Sequence, residues 1–327
     1  LLGGVAIIAA PFYSASPIVF IVLLAVHMLC YMPTIGLTNT LAFHNITNQE
    51  KQFPLIRVFG TIGWIAAGVL VSLGLKAETS AIPFYVAGGA SIVMGLFSFS
   101  LPHTPPPAAG KGKITAREIL GLDALAQLNS RPFNVFIISS FLICIPLAAY
   151  YNFAPIFAND IGLSNVAFKM SFGQMSEVLF MVAMPFFFRR LGVKWMLVVG
   201  MAAWVLRYAL FAAAASSSVV WMIMFGVLLH GICYDFFFVT GQIYVDKKST
   251  PEIRGQAQGF LVLITLGLGM LIGAQVSGWL NNFFKDGGEA LTAAAWQSFW
   301  WIPAAFAFAI MIFFTLAFKD AVDSSEV

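Results

Sequence analysis

Apolar runs of about 20 residues recur from one end of this chain to the other, and they limit what it can fold into. A run of that length crosses the hydrocarbon core of a bilayer as an α-helix. Only 9% of the residues are charged and 60% are hydrophobic, whereas a soluble domain usually carries about 25% charge. We therefore predict an all-α, polytopic membrane protein.

Nine complete membrane-crossing helices are predicted, preceded by a partial one. Residues 1–10 have the character of a helix end that stops at Pro11, and the chain starts at Leu1 inside that run without an initiator Met. We therefore expect a fragment that is truncated at its N-terminus. The complete spans are predicted at 17–43, 53–75, 81–101, 132–157, 170–188, 193–215, 219–245, 257–284 and 296–318.

Lysines and arginines are divided unequally between the loops on the two sides of the predicted membrane. Cytoplasmic loops usually carry the excess of these residues. The richer side and the C-terminus are therefore predicted to be cytoplasmic. The richer side holds Lys51, Lys111, Lys113, Arg117, Arg131, Arg189, Arg190, Lys194, Lys247, Lys248, Arg254 and Lys319, and the other side holds Lys76, Lys169 and Lys285.

The longest break between spans divides the chain into two helical bundles. The prolines from Pro105 to Pro107 cannot continue a helix. The stretch from Ile114 to Leu128 is either a short amphipathic helix on the inner membrane surface or a plain loop. The predicted organisation is the remainder of an N-terminal bundle at 1–101, a cytoplasmic linker at 102–131, a C-terminal bundle at 132–318 and a cytoplasmic tail at 319–327.

Three charged residues lie well inside the predicted spans, and Arg57 lies one turn inside its own. A charge at mid-membrane costs about 2.5–3.5 kcal/mol or more, so such a residue usually faces a bundle interior or a wet cavity. For Glu177 and Asp235 we predict a functional role in a polar cavity between helices. For Arg207, which follows Trp204 closely, we predict an ion pair that holds the bundle together.

Two further sets of side chains share a helix face. Gln174 and Glu177 are three residues apart, and a neutral amide beside an acid suits a ligand rich in hydroxyl groups. Arg57, Thr61 and Trp64 follow i, i+4, i+7 spacing. A guanidinium, a hydroxyl and a large aromatic ring could hold a planar ring and its polar edge. The alternative for Trp64 is packing against lipid or a neighbouring helix.

The helix that carries Asp235 has further candidates for the cavity wall. Gly231, Phe238 and Gln242 share a face with Asp235, and His230 and Tyr234 form the adjacent face. The alternative for His230 is a structural hydrogen bond. In another span, Asn152 follows Tyr150 and Tyr151 and adds an amide, with a plain helix-end residue as its alternative.

The sequence offers little support for enzyme chemistry. Cys30, Cys144 and Cys233 lie inside apolar runs and have no spacing typical of zinc or haem sites. Gly267 and Gly269 lie inside a span with no strand before them, so they indicate helix packing and not a dinucleotide loop. We expect no catalytic residues, no cofactor and no metal ion.

Several passages resemble the bacterial nucleoside:proton symporter family of the major facilitator superfamily. They are Met32-Pro33-Thr34-Ile35-Gly36-Leu37-Thr38-Asn39-Thr40, Phe53 to Trp64, Gln174-Met175-Ser176-Glu177, Trp204 to Phe211, Tyr234-Asp235-Phe236-Phe237 and Ile253 to Gly259. The resemblance implies twelve helices in two halves of six and transport by alternating access. The partial helix would be the end of the third, and 132–318 would hold helices seven to twelve.

The resemblance also implies roles for individual residues. Arg57, Thr61 and Trp64 match the ligand-contact positions of the fifth helix, although the bacterial permease compared has Phe at the position of Trp64. Gln174 and Glu177 match a pair that binds ribose hydroxyls. Asp235 matches an acid of the tenth helix implicated in proton coupling, with His230 and Tyr234 at neighbouring contact positions. The seventh helix departs most, because Tyr150, Tyr151 and Asn152 do not align without a gap.

The hypothesis from the sequence is a monomeric, proton-driven nucleoside importer of the bacterial inner membrane. Arg57, Thr61, Trp64, Asn152, Gln174, Glu177, His230 and Tyr234 would bind substrate, with the base on Trp64 and on aromatic rings of 236–238. Asp235 and Glu177 would couple the proton. Its partners would be the nucleoside, the proton and the lipid bilayer, with no nucleic acid. The alternatives are a transporter of another substrate, such as a sugar or drug, and a membrane-embedded enzyme.

Overall fold

The fold is that of a computed structural model that describes residues 1–77, 80–104, 115–163, 166–217, 219–285, 288 and 290–319. All regular secondary structure in these ranges is helical. The helices are α1 Leu2–Ala9, α2 Pro17–Asn45, α3 Gln49–Val69, α4 Ile82–Phe97, α5 Ala116–Ile119, α6 Leu122–Leu128, α7 Arg131–Asp160, α8 Val166–Ser217, α9 Val220–Leu228, α10 His230–Tyr234, α11 Thr240–Lys248, α12 Arg254–Val262, α13 Met270–Lys285 and α14 Ala293–Ala317.

Eight helical stretches in the described residues are long and apolar enough to cross a membrane. Two of them are continuous across a π-helical turn. Asp235–Val239 joins α9–α10 to α11 in the Val220–Lys248 span, and Leu263–Gly269 joins α12 to α13 in the Arg254–Lys285 span.

Helix α8 contains two of the predicted spans, because its 52 residues are interrupted at one glycine. Gly192 has φ 62° and ψ 179°, a backbone conformation that glycine adopts without steric cost. The predicted spans 170–188 and 193–215 lie on either side of this break. With α8 divided there, the described spans correspond in number and order to the nine predicted ones.

The C-terminal helices, α7 to α14, pack around a large aromatic core. Helix α14 packs against α8 and α7, and α13 packs against α7. The indole of Trp300 is fully buried, with ring centroids 5.1 Å from Phe211 and 5.6 Å from Phe157. Because lipid is as apolar as these side chains, close packing and not water exclusion stabilises this core.

The N-terminal helices, α1 to α4, meet the C-terminal helices along two lines of contact. Helix α3 packs against α8, and α2 packs against α12. The α2–α12 crossing is close, since a Cβ added to Gly36 would lie 3.3 Å from the Cα of Gly259. At the same end of the molecule Lys247 forms an ion pair with Glu50 at the start of α3. These contacts enclose a space between the two helix sets.

The amphipathic stretch predicted at Ile114 to Leu128 is described from residue 115 onward, where it forms α5 and α6. Helix α6 packs against α12 and buries Ala124 and Leu128. Gly121 begins α6 with φ 69° and approaches the carbonyl oxygen of Gln256 so closely that a Cβ would lie 2.8 Å away. The apolar face of α6 therefore contacts protein, whereas a place on the membrane surface was one of the two predictions. Residues 105–114 of the predicted linker lie outside the described ranges.

Candidate functional site

A cavity of about 270 Å³ lies between the N-terminal and the C-terminal helices. Seven of the residues predicted to bind substrate line it: Arg57, Thr61, Trp64, Gln174, Glu177, His230 and Tyr234. Four further polar residues line it that were not predicted as site residues: Tyr31, Tyr151, Gln242 and Thr265. The remaining wall is Ile35, Gly60, Phe238, Leu261, Val262 and Leu266.

Helix α3 contributes one continuous face to the cavity. Arg57, Thr61 and Trp64 lie on successive turns of α3, as the spacing predicts, and Gly60 leaves room between them. The hydroxyl of Thr61 is buried and donates a hydrogen bond to Oε1 of Glu177 over 3.0 Å. The guanidinium Nε of Arg57 is also buried, and it has no hydrogen-bond partner among the described residues.

Helix α8 carries Gln174 and Glu177 on adjacent turns that face α3 across the cavity. Next to them, the Ser176 hydroxyl accepts a hydrogen bond of 3.1 Å from the backbone N–H of Gly231. A Cβ at Gly231 would lie 2.6 Å from the carbonyl oxygen of Ser176 and 2.7 Å from the backbone nitrogen of Glu177. Only glycine fits this crossing, so Gly231 fixes the position of Glu177 relative to the Val220–Lys248 span.

His230 lies beside the Glu177 carboxylate inside an aromatic cluster. Its Nε2 is 3.8 Å from Oε2 of Glu177, and the imidazole is buried. The ring stacks on Tyr150 at a centroid distance of 5.6 Å and meets Tyr151 edge-on at 6.3 Å. These contacts restrain the imidazole so that it borders both the cavity and the carboxylate.

Arg207 differs from its predicted role as an ion-pair partner. Its guanidinium is fully buried and lies over the Tyr150 ring at 4.2 Å, and its Nε donates to the carbonyl oxygen of Gly226 over 3.0 Å. No acidic group of the described residues forms an ion pair with it. The prediction of an ion pair was wrong because a cation–π contact and a backbone carbonyl hold the charge in place of a carboxylate.

Asp235 is buried behind the cavity wall. It begins the π-helical turn Asp235–Val239, has 0% exposure, and is absent from the residues that line the cavity. Neither carboxylate oxygen has a hydrogen-bond partner among the described residues. An ionised carboxylate here lacks the hydrogen bonds that would offset its desolvation. Single π-turns inside helices often mark functional sites.

Two sets of predicted contacts lie elsewhere. Asn152 is exposed and does not line the cavity, whereas its neighbour Tyr151 does. Among the three phenylalanines from 236 to 238, only Phe238 lines it. Phe237 packs edge-on against Trp204 at 5.2 Å, which places its ring in the core. A base that stacks in this cavity would therefore meet Trp64 and Phe238.

Gln242 and Thr265 are residues for which the sequence held a usable signal. Gln242 follows Phe238 by one turn on a face that already held candidates, and a buried amide in a membrane helix needs a partner. Thr265 lies in the π-turn Leu263–Gly269, a local irregularity that the residue pattern does not reveal. Tyr31 lies just before the Met32-Pro33 passage.

Membrane-spanning helices that surround a partly polar cavity between two packed sets define an α-helical membrane protein with a central ligand-sized site. The fold is that of the major facilitator superfamily. The *Escherichia coli* fucose:proton symporter FucP, a member of that superfamily, matches with a TM-score of 0.61 over 98% of this chain and 80% of its own, at 14% identity.

The chain belongs to the nucleoside H+ symporter family, whose sequence model matches residues 1–323. It is 39% identical over 313 residues to the putative nucleoside transporter YegT of Escherichia coli strain K12, covering 92% of this chain and 73% of YegT. It is 31% identical to the nucleoside permease NupG of the same strain, covering 97% of this chain and 78% of NupG. A crystal structure of NupG with the D323A substitution matches with a TM-score of 0.71 at 29% identity, over 97% of this chain and 81% of that one.

Proposed function

We propose that this protein is a proton-coupled nucleoside importer of the bacterial inner membrane that works by alternating access. The observation that carries the proposal is the cavity itself. It brings the Arg57, Thr61 and Trp64 face of α3 opposite Gln174 and Glu177 of α8, in a chain of the nucleoside H+ symporter family. The names of YegT and NupG agree with a nucleoside as the substrate.

The nucleoside would lie with its sugar at α8. The Glu177 carboxylate accepts hydrogen bonds, and the Gln174 amide both donates and accepts, so the pair suits the hydroxyl groups of ribose. The base would stack between Trp64 and Phe238, with the Arg57 guanidinium at its polar edge. His230 and Tyr234 would complete the wall around the sugar. Asn152 is exposed in this conformation and would contact substrate only after α7 moves.

Proton coupling would involve Asp235 and Glu177. Asp235 carries a charge without hydrogen-bond partners in the described residues, so the uptake of a proton removes the cost of burying that charge. Glu177 accepts from Thr61 across the two helix sets, so its protonation or its contact with substrate changes a bond between them. Both events would bias the equilibrium between outward-facing and inward-facing states.

The orientation follows from the distribution of basic residues. The end that holds the Glu50–Lys247 pair would face the cytoplasm, together with the C-terminus, because the richer set of lysines and arginines lies there. The two helix sets contact each other at that end, so the conformation would be closed toward the cytoplasm. We expect a monomer in the bilayer.

Uptake of labelled uridine by the full-length protein in transport-deficient bacteria tests this function. We expect concentrative uptake that an uncoupler of the proton gradient abolishes. Labelled xylose serves as the competing substrate, and we expect no accumulation of it. Uptake that ignores the uncoupler would overturn the coupling, and accumulation of xylose without uridine would overturn the substrate class.

A further inference from the structure

One amide in the cavity wall is not used by the packing of the helices around it. Gln242 of α11 lines the cavity with 7% exposure, and its Oε1 has no hydrogen-bond partner among the described residues. Its backbone carbonyl, by contrast, accepts a hydrogen bond of 2.8 Å from Nε2 of Gln258. The main chain of Gln242 therefore holds α12 in place, and its side chain is left for another partner.

Contacts between the helices locate this amide along the cavity. The Glu50–Lys247 pair closes one end of the molecule, and the Thr61–Glu177 hydrogen bond lies further inside. Gln242 lies about one and a half helical turns from Lys247, and Arg57 about two turns from Glu50. Both residues therefore lie between the ion pair and the Thr61–Glu177 bond, at the end of the cavity away from Gln174.

The hydrogen-bonding groups at this end are complementary to each other. The Arg57 guanidinium offers donors only. The Gln242 side chain adds a carbonyl acceptor together with an amide donor. Leu261 and Val262 beside them are apolar, and the Thr265 hydroxyl already donates to the carbonyl oxygen of Leu261 over 2.6 Å. A planar ligand edge with a ring N–H needs an acceptor here, and the Gln242 carbonyl supplies it.

We propose that Gln242 recognises the hydrogen-bonding edge of the nucleobase and is a specificity-determining residue of this transporter. The inference rests on the proposed function, because it takes a nucleoside with its sugar at Gln174 and Glu177. Its Oε1 accepts the ring N–H of a uracil-type base, and its Nε2 donates to the adjacent carbonyl. Rotation of the terminal amide exchanges the two groups, so the same side chain also matches the opposite pattern of cytosine or adenine.

A pair of substrates that differ only at this edge gives the test. In 3-methyluridine the ring N–H of uridine is replaced by a methyl group, while the sugar is unchanged. Loss of a hydrogen bond that leaves a buried polar group unpaired typically costs one to two orders of magnitude in transport efficiency. We therefore expect the wild-type protein to prefer uridine over 3-methyluridine by about ten- to hundredfold in Vmax/KM for uptake.

The variant Gln242→Met removes both hydrogen-bonding groups and keeps an unbranched side chain of similar length. We expect it to lower uridine uptake by about tenfold or more and to bring the uridine to 3-methyluridine ratio close to one. The variant Gln242→Glu keeps acceptor oxygens at the same position. It should retain most of the discrimination, and it keeps the test decisive if the Met variant does not fold.

Gln174→Met is the matched control, because it removes the same amide from the other end of the cavity. It should lower uridine uptake but leave the discrimination against 3-methyluridine as in the wild type. Instead it should reduce the discrimination between uridine and a deoxyuridine.

A Gln242→Met protein that keeps the wild-type preference for uridine, or a Gln242→Glu protein that loses all of it, would overturn the assignment while leaving the transport function intact. Failure of the wild-type protein to take up either nucleoside would overturn the proposed function itself. The two failures are therefore distinguishable.

Discussion

The hydroxyl of Thr61 on α3 donates a hydrogen bond of 3.0 Å to Oε1 of Glu177 on α8, and this bond joins the N-terminal to the C-terminal helices in the cavity wall. Both side chains are buried, with 7% exposure each. Glu177 also has His230 at 3.8 Å from its other carboxylate oxygen. A ligand hydroxyl that binds Glu177 must share the carboxylate with Thr61, so ligand binding and the contact between the helix sets are linked.

We predict that Thr61→Val lowers Vmax/KM for uridine uptake by about five- to thirtyfold. The substitution preserves the shape of the side chain but removes the donor, and hydrogen bonds to charged groups contribute about 1.5–3 kcal/mol. Thr61→Ser keeps the hydroxyl and should remain within about threefold of wild type. Thr38→Val is a control on α2, because that exposed hydroxyl bonds only to the carbonyl of Ile35 within its own helix. Equal uptake by Thr61→Val and wild type would mean that the bond is incidental.

We predict that Asp235→Asn abolishes uphill uptake driven by a pH gradient but permits exchange of labelled for unlabelled uridine. The amide has nearly the shape of the acid, yet it cannot take up and release a proton. Because Asp235 lies behind the wall, its loss should leave ligand contacts in the cavity intact. Initial rates of uptake and of exchange in proteoliposomes measure the two processes separately.

The control for this prediction is Asp123→Asn. Asp123 lies on α6, where it pairs with Arg117 at 3.1 Å in an exposed position. Its substitution should leave both uptake and exchange unchanged. Undiminished uphill uptake by Asp235→Asn would remove Asp235 from the coupling mechanism.

Much of the fold was accessible from the sequence, because membrane spans depend on length and apolarity alone. The faces of single straight helices were accessible for a similar reason. Arg57, Thr61 and Trp64 line one cavity, as regular spacing along α3 predicts. The sequence could not show that this face lies opposite Glu177, because that contact depends on how α3 packs against α8. The residues from the resemblance supplied the pairing instead.

The Val220–Lys248 span shows where regular spacing fails. A helix with 3.6 residues per turn places Gly231, Asp235, Phe238 and Gln242 on one face, which is the predicted one. The cavity is lined instead by His230, Tyr234, Phe238 and Gln242, which follow a period of four. The π-helical turn Asp235–Val239 widens the helix locally and permits this period. No pattern of residue types signals that turn, so the sequence assigned Asp235 to the wall and missed that it lies behind it.

We predict that the Glu50–Lys247 ion pair stabilises the conformation in which the two helix sets meet at their end of the molecule. The pair is partly exposed, so its contribution is modest and a single substitution should change transport by only about two- to fivefold. Glu50→Lys places two positive charges together and should lower the rate of uridine uptake. The double variant Glu50→Lys with Lys247→Glu should recover it, since the pair is restored in reverse. Lack of recovery would indicate that these side chains act separately.

We predict that Gly231→Ala destabilises the protein and lowers uridine uptake by more than tenfold. The added Cβ would lie 2.6 Å from the carbonyl oxygen of Ser176 and 2.7 Å from the nitrogen of Glu177, and both are backbone atoms that cannot rotate away. Forcing an extra methyl group into a well-packed contact typically costs about 1–3 kcal/mol. Here it would also push α8 away from the Val220–Lys248 span and carry Glu177 with it.

Gly278→Ala is the matched control for Gly231→Ala. A Cβ at Gly278 on α13 has nothing within 4 Å, so the same substitution in another membrane helix meets no obstacle. Thermal unfolding of the purified protein followed by fluorescence, together with uridine uptake, compares the two variants. We expect a lower melting temperature and weak uptake for Gly231→Ala, and wild-type values for Gly278→Ala. Because the crossing at Gly231 sets the position of Glu177, wild-type uptake by Gly231→Ala would show that this close contact does not determine the geometry of the site.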